Sequence, residues 1–113
     1  MLKPIPKKVL IDSATHSPLV HGARGKTYTP NNALTDVLIQ NKKMRTISDG
    51  NLLTTSDAIL FYDVTNSTGD PTFKIGDRIT YTDGFGNSQI KYIKSILEAK
   101  TFEGIHHYEV MLL

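Results

Sequence analysis

Apolar and polar residues alternate over short segments, and turn-forming residues interrupt the alternation about every 10–15 positions. This pattern is typical of strands with one buried face that are joined by tight turns. The terminal segment IHHYEVMLL places Tyr108, Val110 and Leu112 on one face, whereas AILFYDV is apolar on both faces and favours a buried strand. The chain is therefore predicted to be all-β, a small antiparallel β-barrel or sandwich of about six strands.

The first half of the chain contains three predicted strands. KKVLIDSATH is the first, with Val9 and Ile11 on one face. Residues 33–47, ALTDVLIQNKKMRTI, form either one long strand or two strands with a break at QNKK. The Asp-Gly pair in the SDG segment at 48–50 predicts a hairpin turn, after which residues 51–64 return as a strand.

The second half continues in the same way after a polar loop at 65–71. Gly-Asp in FKIGDRITYTD predicts a tight turn before a strand, and DGFGN at 83–87 predicts a second hairpin turn. In the strand SQIKYIKSILEA, Ile90 and Tyr92 share one face and Ile93 lies on the other. KTFEG then turns the chain into the terminal strand.

Two segments do not follow the strand pattern. The prolines of MLKPIP exclude a helix and predict an extended lead-in over residues 1–7. Residues 17–32, SPLVHGARGKTYTPNN, contain two glycines and two prolines and predict one long mobile loop or a loosely formed hairpin. At 113 residues, the chain 1–113 is predicted to be a single domain.

Composition narrows the functional classes. Apolar residues make up 39% and charged residues 21%, which is ordinary for a soluble globular protein. The absence of cysteine excludes disulfides, thiolate nucleophiles and thiolate metal sites. A formal net charge of +2 is too weak to argue for nucleic acid or an anionic membrane. No signal peptide or spanning segment is recognisable, so synthesis in the cytoplasm and no membrane association are expected.

The adjacent histidines near the end are the first candidates for chemistry. Strand alternation sends His106 and His107 to opposite faces, so the two are not expected to converge on one ion. His107 and Glu109 share a face and could hold a metal with His16 or His21, but nothing in the spacing requires it. We interpret these histidines as structural or interface residues and predict no metal site. A pH switch remains open without specific support.

No other pattern indicates catalysis. The acidic residues are scattered and lie mostly in turns, the serines lack a nucleophile-elbow pattern, and GARGK at 22–26 lacks the strand-to-helix context of a phosphate loop. We therefore predict no catalytic residue, no cofactor and no enzyme activity. The basic clusters leave an OB-like nucleic-acid-binding module as the alternative function; they are Lys7 and Lys8, Arg24 with Lys26, and Lys42 and Lys43 with Arg45.

Four segments, taken together and in order, carry a resemblance to a known family. They are KPIPKKVLIDSAT at the start, AILFYDVTNS at 58–67, FKIGDRITY at 73–81 and HHYEVML at the end. The chain thereby resembles the small minor capsid proteins encoded in the structural gene clusters of long-tailed bacteriophages and prophages. Members of that family have about this length, so the likeness covers nearly the whole chain. It departs from the family pattern in 17–32, where an acidic and aromatic stretch is expected.

The resemblance implies a virion structural part and not an enzyme. Such proteins belong to the head–tail connector, as head-completion or stopper-type components between the portal or adaptor ring and the tail-completion protein. They are small β-barrels that assemble as rings, which implies a heterologous interface and is compatible with a monomer in isolation. Location in the virion, in the host cytoplasm before assembly, and non-specific contact with packaged DNA are the corresponding expectations.

A connector subunit binds its neighbours through exposed loops, and residues 17–32 and 65–72 are long enough to order on a partner. Apolar, aromatic and basic side chains in the loops are the candidates for these contacts. The predicted partner-binding residues are Leu19, Val20, Arg24, Lys26, Tyr28 and Phe85.

Overall fold

In the computed structural model the chain forms a closed antiparallel β-barrel of six strands, which confirms the predicted fold class. The structure describes residues 4–22, 25–28, 32–48 and 50–113, with side chains described except at 42–48 and 51–56. Around the barrel the strand order is β1-β4-β5-β8-β7-β6, and β2 and β3 form a separate two-stranded sheet. The strands are β1 (Asp12–Ser17), β2 (Leu19–Gly22), β3 (Gly25–Tyr28), β4 (Asn32–Ser48), β5 (Asn51–Asp63), β6 (Arg78–Thr82), β7 (Ser88–Thr101) and β8 (Gly104–Leu112).

The core is the set of inward side chains that the alternation of the strands supplies. On β8, Val110 and Leu112 are fully buried and Tyr108 packs against the core, as predicted. On β7 Ile93 is fully buried, whereas Ile90 and Tyr92 lie on the outer face. The other fully buried apolar core residues are Leu34, Val37, Ala58, Leu60 and Ile79.

The start of the chain differs from the prediction. Lys7–Val9 form a short 3-10 helix, and the first strand begins only at Asp12. Val9 and Ile11 are 41% and 77% exposed, while Leu10 between them is buried. The predicted strand was wrong over its first residues, because a 3-10 turn replaces the two-residue period before β1 begins.

The lead-in is held against the barrel by Asp63 at the end of β5. The buried carboxylate of Asp63 accepts a hydrogen bond from the Ile5 N–H at 3.1 Å and from the Asn66 N–H at 2.8 Å. The Asn66 side chain donates back to the Ile5 carbonyl oxygen at 2.7 Å. Asp63 and Asn66 of the FYDVTNS segment thus close a turn and hold the lead-in. The role of these polar side chains is therefore structural.

Residues 33–47 belong to one long strand, the first of the two predicted alternatives. β4 pairs with β1 over its first part and with β5 from Leu38 onward, with register shifts around Met44. Across the described pairings, Met44–Ser48 and Asn51–Ser56 pair only with each other. They form a two-stranded extension of the barrel, here called the β4–β5 ribbon. Ser48 pairs with Asn51 at its end, and residue 49 of the predicted turn at 48–50 lies outside the described residues.

A loop between β5 and β6 covers one end of the barrel. Phe73 in this loop packs its ring among those of His16, Tyr62 and Tyr108, with centroid distances of 5.1, 5.9 and 6.1 Å. Gly69 in the same loop has a φ of +117°, and its carbonyl oxygen accepts a hydrogen bond from the Tyr62 hydroxyl at 2.9 Å. These contacts close the apolar interior at this end.

The segment 17–32 corresponds to the hairpin alternative. β2 and β3 pair in antiparallel register from Leu19 opposite Tyr28 to Gly22 opposite Gly25. Each strand has four residues, and residues 23 and 24 between Gly22 and Gly25 lie outside the described residues. Residues 17–32 therefore contain a β-hairpin outside the barrel in place of one long irregular loop.

Candidate interaction surface

The β2–β3 hairpin packs against the outer face of β6 and β7 through Tyr28. The Arg78 guanidinium lies 4.5 Å from the Tyr28 ring centroid, and the Tyr92 ring centroid lies 6.2 Å from that of Tyr28. Arg78 and Tyr92 are opposite each other on β6 and β7. Ile90 lies on the same face two residues before Tyr92 and is 56% exposed. We call Tyr28, Arg78, Ile90 and Tyr92 the hairpin patch.

The hairpin patch combines an apolar side chain, two aromatic rings and a guanidinium on one surface. A cation held over an aromatic face is stabilised by the ring quadrupole, which fixes Arg78 and Tyr28 relative to each other. Tyrosine and arginine are enriched in the parts of interfaces that contribute most to binding. The composition of the hairpin patch is therefore typical of protein-binding surfaces.

The base of the hairpin is held by the buried carboxylate of Asp77, which is 2% exposed. It accepts hydrogen bonds from the Leu19 N–H at 2.9 Å and the Lys74 N–H at 3.0 Å, and its Oδ2 lies 2.7 Å from Nε2 of the fully buried His16. The Asn32 side chain lies 3.5 Å from Nδ1 of the same imidazole. His16 and Asp77 therefore join β1, the hairpin and the loop before β6.

The structure places four of the predicted partner-binding residues on the hairpin, with Leu19 opposite Tyr28, and leaves Phe85 apart from them. Leu19 and Tyr28 are half-buried and hold the hairpin to the barrel, whereas Val20 and Lys26 are exposed on the hairpin. Phe85 is 93% exposed in the turn after β6, at the opposite end of that strand from Arg78. Arg24 lies outside the described residues.

Sequence reasoning missed Arg78, Ile90 and Tyr92 as parts of a surface. The alternation of β7 did place Ile90 and Tyr92 on one face. It could not show that this face points outward, because apolar Ile90 and Tyr92 against polar Gln89 and Lys91 favour the opposite orientation. Arg78 is the signal that could have indicated this surface, because it lies opposite Tyr92 in the pairing of β6 with β7.

The terminal histidines contradict one sequence expectation. Nδ1 of His106 lies 2.7 Å from Nδ1 of His107, so the expectation that alternation keeps the imidazoles apart is wrong. The cause is a bulge, because β7 pairs Ala99 with His107 and Lys100 with Ile105 and leaves His106 as the extra residue. Nε2 of His107 lies 3.2 Å from Glu109, in agreement with their shared face. In the described part of the chain no three metal-ligating side chains converge.

The turn that presents Phe85 depends on Asp83. Its Oδ1 accepts hydrogen bonds from the Asn87 and Phe85 N–H groups, both at 2.9 Å, and its Oδ2 accepts one from the Gln89 side chain at 2.9 Å. The bond from the Asn87 backbone, followed by that from Gln89, lowers the pKa of Asp83 from its ordinary value of 3.8.

A lowered folded-state pKa stabilises the protein above the pKa of the unfolded chain, and this contribution is lost as the pH falls through the folded-state value. We expect Asp83→Asn to lower the free energy of unfolding at pH 7, and the gap from the wild type to close as the pH falls below about 4. Urea unfolding of both proteins between neutral and acidic pH measures this gap. A gap that is as large in acid as at neutrality would contradict the role assigned to the carboxylate.

The described residues contain no helix with the length and apolar character needed to cross a membrane. Comparison with known protein families, with curated proteins and with solved structures gives no significant match.

Proposed function

We propose that this protein is a structural component of a tailed-phage virion, a head–tail connector of the head-completion or stopper type without a catalytic role. The observation that carries the proposal is the β4–β5 ribbon. Its residues pair only with each other in the described sheet, so both outer edges carry unpaired backbone groups. A two-stranded ribbon is marginally stable alone in water, and contact with a neighbouring protein in an assembly would stabilise it.

The distribution of exposed apolar residues also supports a linking role. The hairpin patch lies at the start of β6, whereas Phe85 lies in the turn beyond its end. Two separate exposed surfaces fit a protein that binds one neighbour at each end. In the proposed connector these neighbours are the portal or adaptor ring and the tail-completion protein, with further copies of the chain beside it in a ring.

The segments that carry the family resemblance have structural roles in this chain. Asp63 and Asn66 of AILFYDVTNS hold the lead-in. Phe73 and Asp77 of FKIGDRITY cover the barrel end and hold the hairpin.

The first test is the gene neighbourhood, where portal and capsid genes upstream and tail genes downstream are expected.

The second test is binding of the purified chain to the portal or adaptor ring encoded beside it. We expect Ile90→Asp in the hairpin patch to weaken that binding by about tenfold or more, since a central apolar contact contributes more than 1 kcal/mol. Co-sedimentation with the assembled ring, or binding to the ring immobilised on a surface, measures the loss of affinity.

Leu97→Asp is the matched control, because Leu97 is 51% exposed on the same strand but lies outside the hairpin patch. If both variants bound the ring equally weakly, the introduced negative charge would explain the loss of affinity, and the hairpin patch would not. A chain that binds none of the neighbouring virion proteins, or a gene far from any phage structural gene, would overturn the proposal.

An OB-like nucleic-acid-binding module is the second candidate, favoured by the stacked Tyr28, Arg78 and Tyr92. OB-folds have five strands, whereas this barrel has six. Binding of short single strands that weakens steeply with salt, and is lost on neutralising Lys42, Lys43 and Arg45, would favour this candidate over the connector.

A further inference from the structure

Arg78 in the hairpin patch carries a positive charge that the described part of the chain does not pair. No carboxylate side chain among the described residues forms an ion pair with its guanidinium. Its Nε is buried without a hydrogen-bond partner, the only side-chain nitrogen or oxygen in that state within the same residues. The Nη atoms also lack a bond to these residues but are not buried, so a ligand can reach them.

The ring of Tyr28 holds this guanidinium in place. Cζ of Arg78 lies 4.5 Å from the ring centroid, and the arginine is half-buried on β6. A ring face attracts the positive charge, but it does not replace the oxygen acceptors that a guanidinium binds most strongly. The side chain is therefore already ordered, which lowers the entropic cost of binding an anion.

Two more basic residues lie next to the aromatic members of the hairpin patch. Lys26 lies two residues before Tyr28 on β3, and Lys94 lies two residues after Tyr92 on β7. Both are exposed, and neither forms an ion pair within the part of the chain that the structure describes. Their charges add to that of Arg78, so this surface attracts an anionic partner.

The uncharged members of the hairpin patch determine which anionic partner fits. Ile90 and Tyr92 are 56% and 41% exposed. A nucleic-acid strand would bind through its phosphates and stack bases on the rings, but Arg78 already covers one face of Tyr28 and Ile90 has no ring. A protein segment with an acidic residue beside an apolar residue matches both the charge and the apolar surface.

We propose that the hairpin patch recognises an acidic segment of a partner protein, in which an aspartate or glutamate stands beside an apolar residue. The carboxylate accepts hydrogen bonds from both Nη atoms of Arg78, and the apolar side chain packs on Ile90. Paired hydrogen bonds between these two ions are about twice as strong as neutral ones. The inference rests on the proposed function only in identifying the partner as a neighbour in the virion.

The first test is selection of peptides on the purified chain, which requires no knowledge of the partner. A yeast-displayed library of random dodecapeptides is sorted against the wild type and, separately, against Arg78→Glu. We expect the enriched peptides to contain an acidic residue beside an apolar one and to bind Arg78→Glu at least about tenfold more weakly, as for a central contact. Enriched peptides without an acidic residue, or no enrichment beyond that on Arg78→Glu, would overturn the proposal.

Two further variants show whether the guanidinium itself is recognised. Arg78→Lys keeps the charge but loses the planar fork, so the most enriched peptide should bind it about threefold or more weakly. Lys8→Glu makes the same change of charge on the exposed 3-10 helix and should leave the affinity unchanged. Equal losses in Arg78→Glu and Lys8→Glu, or tighter Arg78-dependent binding of a thymidine oligonucleotide than of the peptide, would overturn the proposal. Amide spectra show whether each variant is folded.

Binding to the portal or adaptor ring separates this proposal from the proposed function. We expect Arg78→Glu to weaken ring binding and Lys8→Glu to leave it unchanged. If the ring bound the wild type and Arg78→Glu equally tightly, the acidic partner would be wrong while the connector role would stand. If the selected peptides required Arg78 but the ring did not bind the chain, the connector role would be wrong while the recognition of acidic segments would stand.

Discussion

Gly69→Ala is expected to lower the free energy of unfolding by about 2–5 kcal/mol, from backbone strain and overpacking together. A Cβ atom at this position would lie 2.6 Å from the Ala33 carbonyl oxygen and 2.6 Å from Cδ2 of the fully buried Leu34. The backbone cannot easily shift to make room. The Gly69 carbonyl oxygen accepts a hydrogen bond from the Tyr62 hydroxyl, and the adjacent Thr68 pairs with Thr35. Urea unfolding followed by circular dichroism measures the loss.

Gly104→Ala separates strain from crowding. Gly104 has a φ of +119°, close to the +117° of Gly69, but a Cβ atom there would have no neighbour within 4 Å. We expect this control to cost about 1–2 kcal/mol, the strain of the left-handed conformation alone. Equal losses in the two variants would show that the loop at Gly69 adjusts and that its close packing does not stabilise the barrel end.

Asp77→Asn is the second large expected effect, a loss of about 2–4 kcal/mol, because a buried acceptor is replaced by a donor that faces other donors. The carboxylate lies next to His16, the Leu19 N–H and the Lys74 N–H, and an amide can satisfy only part of this set. Since Leu19 begins β2, the hairpin should also lose protection. Hydrogen exchange of the Leu19 amide is expected to accelerate more than exchange within β8.

Asp36→Asn is the matched control for charge removal. Asp36 lies 3.7 Å from Lys7 in an exposed ion pair, and asparagine tolerates its positive φ of 54°. Exposed pairs contribute about 0–1 kcal/mol, so little change is expected. An Asp77→Asn protein as stable as Asp36→Asn, with an unchanged rate of Leu19 exchange, would contradict the role of Asp77 as the anchor of the hairpin.

The fold was predictable where alternation continues without interruption. Val110 and Leu112 on β8 and Ile79 on β6 are buried as the two-residue period requires. Prediction failed where the period breaks. The 3-10 turn buries Leu10 in place of its neighbours, and the bulge at His106 turns two consecutive imidazoles toward each other. The bulge depends on the register between β7 and β8, which the local sequence does not encode, whereas the 3-10 turn is closed by local hydrogen bonds from Val9 to Pro6 and from Leu10 to Lys7 that the apolar–polar alternation does not report.

The candidate surfaces were predictable only in part, for a related reason. Val20 and Phe85 are exposed as expected, because a strand of a hairpin outside the barrel and a turn have few neighbours. Tyr28 and Arg78 meet only because the hairpin folds back over β6, a contact that spans about 50 residues of sequence. The polar cavity that is lined by Asn41, Asp57, Tyr81, Asp83, Gln89 and Lys91 requires four separate segments of chain to converge, which no single motif records.

The β2–β3 hairpin follows β1 at the start of β4, and the β4–β5 ribbon leaves the other end of β4. Tension applied between the hairpin and the ribbon would therefore act parallel to the strands. Because β4 runs from one attachment point to the other and is already extended, its covalent backbone would carry this load, and the hydrogen bonds to β1 and β5 would not have to bear it. The barrel is consequently expected to resist pulling along this axis far better than pulling across it, a directional strength that single-molecule force measurements can compare.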